Sequence, residues 1–463
     1  MPIVTEPFRI KVVEPIARTT RPEREKLLRE HGYNLFALPA STVTFDLLTD
    51  SGTSAMSAAQ WGAMMIADES YAGSRSFERF EKAVRELTGF RHVLPTHQGR
   101  AAERILCQIA VRPGALIPSN GHFDTTRANI EFAGAEALDL PVPEATHPEV
   151  EIPFKGNIDL ERLARVVGEE RDRIPFGMLT LTNNTEGGQP VSLENVRATA
   201  TILHAAGIPL ILDACRFAEN AYLVKLREPG QAGRTPTGIA HEIFRLADGC
   251  TLSAKKDGLS NMGGFLALND DGWAARGRNL LILTEGFPTY GGCAARDLEA
   301  VTVGLSEVLE EAYLEYRLAT VTWIARGLDR AGIPTVKPWG GHAVFVDAKA
   351  LLPHIPPEQF PGLALACELY LAGGIRSCEI GSVMFGKVGE DGRFQEAPLE
   401  LVRLAIPRRV YTQSHMERVV EVCAEVAARA SALPGYTMVE RPPFLPHFTA
   451  RFLPGVKVPA GLQ

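Results

Sequence analysis

VRATATILHAAG (196–207), followed directly by IPLILDA (208–214), decides the fold. The first stretch places apolar residues at helical spacing and stops at Gly207, a residue type suited to closing a helix. The second is a nearly unbroken apolar run that ends in Asp213 and Ala214. A strand that is apolar at almost every position is buried on both faces, as in a parallel sheet covered by helices. The same alternation recurs outward from here. FERFEKAVRELTGF (77–90) and IDLERLARVVGEE (158–170) read as amphipathic helices and FGMLTLTN (176–183) as a strand. IAHEIFRLA (239–247) is a further helix, and DGCTLSAKK then leads to GGFLAL (263–268). Helix and short strand in repetition give crossover units around a parallel or mixed sheet, so the class is α/β. Beyond about residue 305 the texture changes to long helical patterns (306–332), strand-like pieces such as LVRLAIP (401–407), and a helix over 415–433. This reads as a smaller α+β domain with an antiparallel sheet. The expected division is an N-terminal arm (1–20), a large domain (49–305), and a small domain made of 21–48 with 306–463.

Composition limits the function. A chain of 463 residues suits two or three domains, and 45% hydrophobic content suits a globular protein. No apolar run reaches the roughly 18 residues of a membrane span. The N-terminal stretch lacks the apolar core of a secretory signal. The net charge is −7 with acids and bases intermixed, which argues against a nucleic-acid surface. The seven cysteines are odd in number and show no CxxC spacing, so a disulfide framework or zinc site is not expected. A reduced cytoplasmic protein is the expectation.

Ligands of such sheets bind beyond the carboxyl ends of the strands. Three strand ends carry chemistry: Asp213-Ala214-Cys215-Arg216, Ser253-Ala254-Lys255-Lys256-Asp257, and Asn184. An acid at one strand end and a lysine at another suit pyridoxal phosphate. The lysine forms a Schiff base with the aldehyde, and the acid keeps the ring nitrogen protonated. A loop carboxylate and a solvated lysine pair would look the same in isolation. A third ingredient separates the readings. Thr96-His97-Gln98-Gly99-Arg100 lies between the strand HVLPT and the helix AAERILCQIA. There glycine, free helix N–H groups and an arginine fork can cradle a phosphate, with the Ser253 hydroxyl in reach.

Eight stretches carry a family resemblance: DLLTDSGTSAMS (46–57), ADESYAGS (67–74), PTHQGRAAE (95–103), DGCTLSAKKD (248–257), GFPTYGGCAARD (286–297), GGHAVFVDA (340–348), VRLAIPRRVYT (402–412) and HFTARF (447–452). With them the chain resembles the β-eliminating lyases along nearly its whole length. Members of that family release indole from tryptophan or phenol from tyrosine. The resemblance implies a fold type I pyridoxal-phosphate enzyme with an aspartate aminotransferase-like large domain. It also implies a homotetramer of catalytic dimers acting on a small amino acid. By the same resemblance Lys256 is the Schiff-base lysine and Cα base, with Lys255 beside it. Asp213 binds the ring nitrogen, Arg216 lies near the phenolic oxygen, and Phe123 stacks on the ring. Gln98, Gly99, Arg100 and Ser253 hold the phosphate. Arg403 grips the substrate carboxylate, helped by Thr49, Ser51 and Asn184. Tyr71 is the acid that protonates the leaving carbon, and Tyr290 reaches in from a neighbouring subunit. A monovalent cation, K⁺, is expected between subunits, with Gly52 and Asn261 from one and Glu69 from the other.

Substrate choice is read at the side-chain pocket. Phenol-releasing members carry Thr after the stacking Phe, Arg in a Met-Glu-Arg segment, and Phe-Phe near the C-terminus. This chain has Asp124, Cys378-Glu379-Ile380 and His447-Phe448 there. All three agree with indole release. Asp124 can accept a hydrogen bond from indole N–H or hold an acid–base partner, and His447 can orient it or shuttle a proton. Ile380, with Phe36 and Phe448, makes an apolar wall for the larger ring. Phe287, where phenol-releasing members have Met, leaves pocket size open. The competing readings are phenol release, a fold type I aminotransferase, and a non-enzymatic cofactor-binding regulator.

Overall fold

The computed structural model describes residues 4–389 and 391–455. Residues 1–3, Glu390 and 456–463, which fall in the expected arm and small domain, lie outside the described residues. The central element is a seven-stranded sheet. Its strands are β1 (His92–Thr96), β2 (Leu116–Ser119), β3 (Glu136–Asp139), β4 (Gly177–Thr180), β5 (Leu210–Asp213), β6 (Gly249–Ser253) and β7 (Gly264–Leu268). The spatial order is β1-β7-β6-β5-β4-β2-β3. All pairings are parallel except those of β7, which runs antiparallel to both β6 and β1. The class is thus α/β with a mixed, mostly parallel sheet.

Alternation explains why these strands sit in the middle. Leu210 and Leu212 of β5 enter one core with Leu179, Leu252 and Phe265, while Ile211 turns to the opposite core with Met178 and Leu266. Burial on both faces is what the unbroken apolar run demands. The flanking helices are closed by local chemistry. The Ser192 side chain accepts from the Asn195 N–H to start helix Leu193–Ala205, and Asp159 caps helix Leu160–Glu170 by accepting from Glu161 and Arg162. Gly89 ends helix Arg75–Thr88 at φ 77°, a left-handed conformation that favours glycine.

A second core gathers Leu28, Leu35, Phe45 and Leu47 with Val321, Leu369, Val402, Val419 and Phe452. It packs around a three-stranded antiparallel sheet of β8 (Ala343–Asp347), β9 (Cys378–Ile380) and β10 (Leu401–Ala405), in the order β9-β10-β8. The stretch 306–332 divides differently from its sequence pattern. Ser306 and Glu307 end helix Ala295–Glu307, and a new helix begins at Glu311 and runs to Arg330. The break sits where Val308 is drawn fully into the first core and Glu310 turns extended. The long helix spans both cores, with Tyr313 and Leu314 in the first and Val321 and Ile324 in the second.

Candidate active site

The carboxyl ends of β4, β5 and β6 open on a cavity of about 210 Å³. Asp213 is the last residue of β5 and is 5% exposed. Lys255 and Lys256 follow β6, and both line the cavity. Burial, then the Arg100 and Lys256 charges, lower the Lys255 ammonium from its ordinary value. Gln98 precedes helix Gly99–Ala110 in an extended conformation, so the helix N-terminus faces the same space. Gly99 is required there by proximity. A Cβ at this position would lie 2.6 Å from the Ser253 Cβ and 3.0 Å from its backbone nitrogen. The cradle read from the sequence is therefore assembled: Gln98, Gly99, Arg100 and Ser253 line one wall.

Arg216 lines the cavity but is held by a residue that sequence reasoning missed. It donates to Asp50 in a fork, Nε to Oδ2 at 3.0 Å and Nη2 to Oδ1 at 2.8 Å. Burial alone would raise the Asp50 carboxyl, yet Arg216 and Arg408 hold it well below the usual carboxylate range. Arg403 comes from β10, on the strand face turned away from the second core. Its Nη1 donates to Asn184 Oδ1 at 3.3 Å and its Nη2 to the Leu48 carbonyl at 3.0 Å. Its Nε has no partner, so a buried guanidinium edge is left for an anion. Asn184 Oδ1 also meets His342 Nε2 at 3.0 Å. Thr49 and Ser51 line the cavity beside this group.

The cavity is also lined by Phe123 and Asp124, at the start of helix Asp124–Phe132, and by His447 and Phe448. The Asp124 Oδ2 lies 2.9 Å from His447 Nε2, and the two side chains are 4% and 3% exposed. The approach is an ion-pair distance out of line for a hydrogen bond, so both imidazole nitrogens remain without one. Phe36 packs edge-on to Phe448 at 4.9 Å between ring centroids and to His447 at 5.7 Å. The Arg100 guanidinium lies 5.9 Å from the Phe448 ring centroid, linking this wall to the cradle.

Several expected residues are placed elsewhere. Ile380 does not line the cavity. It shares a strand face with Cys378 but sits two residues farther along β9, opposite Leu401, whereas Cys378 is opposite Arg403. The wall is built instead by Cys378 and Met384, with Ile380 in the apolar cluster behind them. Tyr71 is 68% exposed and outside the cavity. It stacks on Phe287 at 5.3 Å and meets Tyr290 at 5.6 Å. Gly52 and Asn261 do adjoin, Asn261 Nδ2 donating to the Gly52 carbonyl at 3.0 Å. Glu69 is apart from them, accepting from the Ala295 N–H at 2.8 Å and pairing with Arg296 at 3.0 Å. Glu103, which the sequence reading passed over, lines the cavity and is 6% exposed.

Residues 46–422 match the family described as beta-eliminating lyase. A tryptophanase of Salinibacter ruber is 59% identical over 98% of this chain and 96% of its own. A tyrosine phenol-lyase of Pasteurella multocida is 47% identical over 97% of this chain and 98% of its own. Among solved structures, a chain of a SepCysS-SepCysE N-terminal domain complex superposes with a TM-score of 0.53 at 14% identity, covering 84% of this chain and 96% of that one. The last likeness concerns the fold alone. With the strand-end acid, the lysine pair and the cradle on one cavity, and a family match over most of its length, the chain belongs to the beta-eliminating lyase family.

Proposed function

We propose that the chain is a tryptophan indole-lyase that converts L-tryptophan to indole, pyruvate and ammonia with pyridoxal phosphate. One observation carries the reading: Asp213 and Lys256 share a cavity with the Asp124–His447 pair and the open edge of Arg403. The residues fit the cofactor. The glycine-lined helix N-terminus with Arg100 and Ser253 suits a phosphate, Asp213 a protonated ring nitrogen, and Phe123 an aromatic face. Pyridoxal phosphate, when bound, supplies the electron sink that makes a substrate Cα–H acidic. On this reading Lys256 is the amine that would anchor it and take that proton. Arg403 and Asn184 orient the substrate carboxylate, which fixes the Cα–H direction.

An aromatic carbon cannot depart as a carbanion, so a positioned acid must protonate the ring first. On this reading Asp124, beside His447 in the cavity lining, accepts from the indole N–H, and Cys378 and Met384 complete the wall. The greater identity to the tryptophanase than to the tyrosine phenol-lyase supports tryptophan over tyrosine. Tyr71 is exposed and packs against the half-buried Tyr290, an arrangement that suits donation to the cavity of a second copy. We extend the reading to a homotetramer of catalytic dimers. K⁺ would lie between Gly52 and Asn261 of one subunit and Glu69 of its neighbour. The seven buried free thiols suit a reducing cytoplasm.

The test is incubation with pyridoxal phosphate, K⁺ and tryptophan in the absence of any keto acid. Indole, pyruvate and ammonia in equal amounts are expected. Turnover that requires an added keto acid would mark an aminotransferase instead.

A further inference from the structure

Glu103 lies one turn into helix Gly99–Ala110, buried on a face it shares with Gly99, Leu106 and Cys107. A carboxyl in such a setting is costly unless its oxygens are engaged. They are: Thr125 Oγ1 donates to Oε2 at 3.0 Å and Thr126 Oγ1 to Oε1 at 3.1 Å. Both threonines sit in the first turn of helix Asp124–Phe132, immediately after Phe123 and Asp124. The Thr125 N–H in turn donates to Asp124 Oδ1 at 2.6 Å. Glu103 also rides on the helix whose N-terminus is the phosphate cradle. One carboxyl therefore spans the two elements that flank the cofactor space. Burial, then Asp213, raise this carboxyl to about 7 while Lys256 opposes the rise, so all three groups feel one another. A neutral carboxyl keeps both threonine contacts, because its hydroxyl can donate where its anion accepted.

We infer that Glu103 is a positioning residue: by holding Thr125 and Thr126 it registers Phe123 and Asp124 against the phosphate cradle, so that cofactor ring and leaving-group pocket are held at a fixed spacing. The inference rests on the tryptophan-cleaving reading of the cavity.

Two readouts test it: the dissociation constant for pyridoxal phosphate, by titration of the cofactor-free protein, and the ratio of kcat/KM for tryptophan to that for S-methylcysteine. The second substrate has a leaving group that needs no ring protonation, so the ratio reports on Asp124 and not on general damage. Glu103→Ala should weaken cofactor binding and lower the ratio, each by about tenfold or more, since small displacements at such sites are amplified. Glu103→Gln keeps one acceptor and gains a donor, and should stay within about threefold of wild type on both. Thr125→Val with Thr126→Val removes the donors and leaves Glu103 in place. It should lower the ratio as Glu103→Ala does, and it serves if that variant fails to fold. An unchanged ratio in the threonine variant, or equal losses in Glu103→Ala and Glu103→Gln, would overturn the inference. Failure of the underlying reading looks different: the wild type itself would not release indole.

Discussion

Arg403 illustrates how a residue's role depends on what is left unpaired. Two of its nitrogens are spent on Asn184 and Leu48, and the third is buried without a partner in a side chain that lines the cavity. A planar fork can take a carboxylate while keeping those tethers, and a lysine cannot. Arg403→Lys should therefore lower kcat/KM for tryptophan by about a hundredfold, chiefly through KM, with cofactor affinity unchanged. Unchanged KM would place the carboxylate clamp elsewhere. At this scale the sequence was most legible where chemistry sits at a strand end, as at Asp213 and Lys256. It was least legible where meaning comes from a distant partner. Asp50 acquires its role from Arg216 and Arg408, separated from it by 166 and 358 positions. Glu103 reads in one dimension as an ordinary polar position on a helix, and only the threonines 22 and 23 residues on give it work. Ile380 was placed in the pocket wall by the family resemblance, which aligns a segment but does not say how far along its strand the cavity extends.

Between elements, Arg408 is the most heavily engaged group. It leaves the end of the strand that carries Arg403 and donates to Asp50 at 2.9 Å, Glu219 at 3.0 Å and Asp257 at 2.9 Å, all fully buried. It thereby ties the Thr49–Gly52 segment, the helix after β5 and the residue next to Lys256. Arg408→Met would leave three acids with too few cations. A loss of about 3–5 kcal/mol in denaturant-induced unfolding is expected, as for other broken buried pairs. A loss below about 1 kcal/mol would mean that the acids protonate at little cost. Glu186, in the turn between Asn183 and Gln189, gives a pH signature. Burial, against the Thr185 hydroxyl bond, raises it from 4.5 to about 8. The unfolded chain ionises first, so the native state binds the extra proton between those values and loses stability as pH rises through them. Glu186→Gln should melt higher than wild type near pH 8 and equally near pH 4. A constant difference across that range would refute the ionisation account. The elements themselves were readable where periodicity was strong, as for helix Leu193–Ala205 and β5. The strands Leu116–Ser119 and Glu136–Asp139 escaped notice because Pro118 interrupts the apolar run of the first and the second carries an acid at each end, Glu136 exposed. The break after Glu307 escaped notice because the apolar spacing continues through it, although the backbone turns extended at Glu310.

For the whole molecule we propose the division expected from the sequence, with the long Glu311–Arg330 helix shared by both cores and not cut cleanly at 305. The surface also carries unexplained apolar groups: Met65 at 83%, Ile66 at 71% and Trp61 at 50% exposure, close in sequence to Glu69 and Tyr71. This patch suits the dimer contact proposed above. Met65→Glu should lower the sedimentation coefficient and activity together, and full activity in a monomeric species would remove the need for a second copy. The central claim is that this cavity selects indole over phenol as leaving group. Indole offers one N–H donor on a bicyclic apolar body, whereas phenol offers a hydroxyl that also accepts. Sites built to pair a polar group discriminate far better than sites that only add apolar volume. The decisive measurement is kcat/KM for tryptophan and for tyrosine on the same K⁺-loaded holoenzyme. The account predicts a ratio of about a hundred or more in favour of tryptophan. A ratio near one, or a preference for tyrosine, would contradict it.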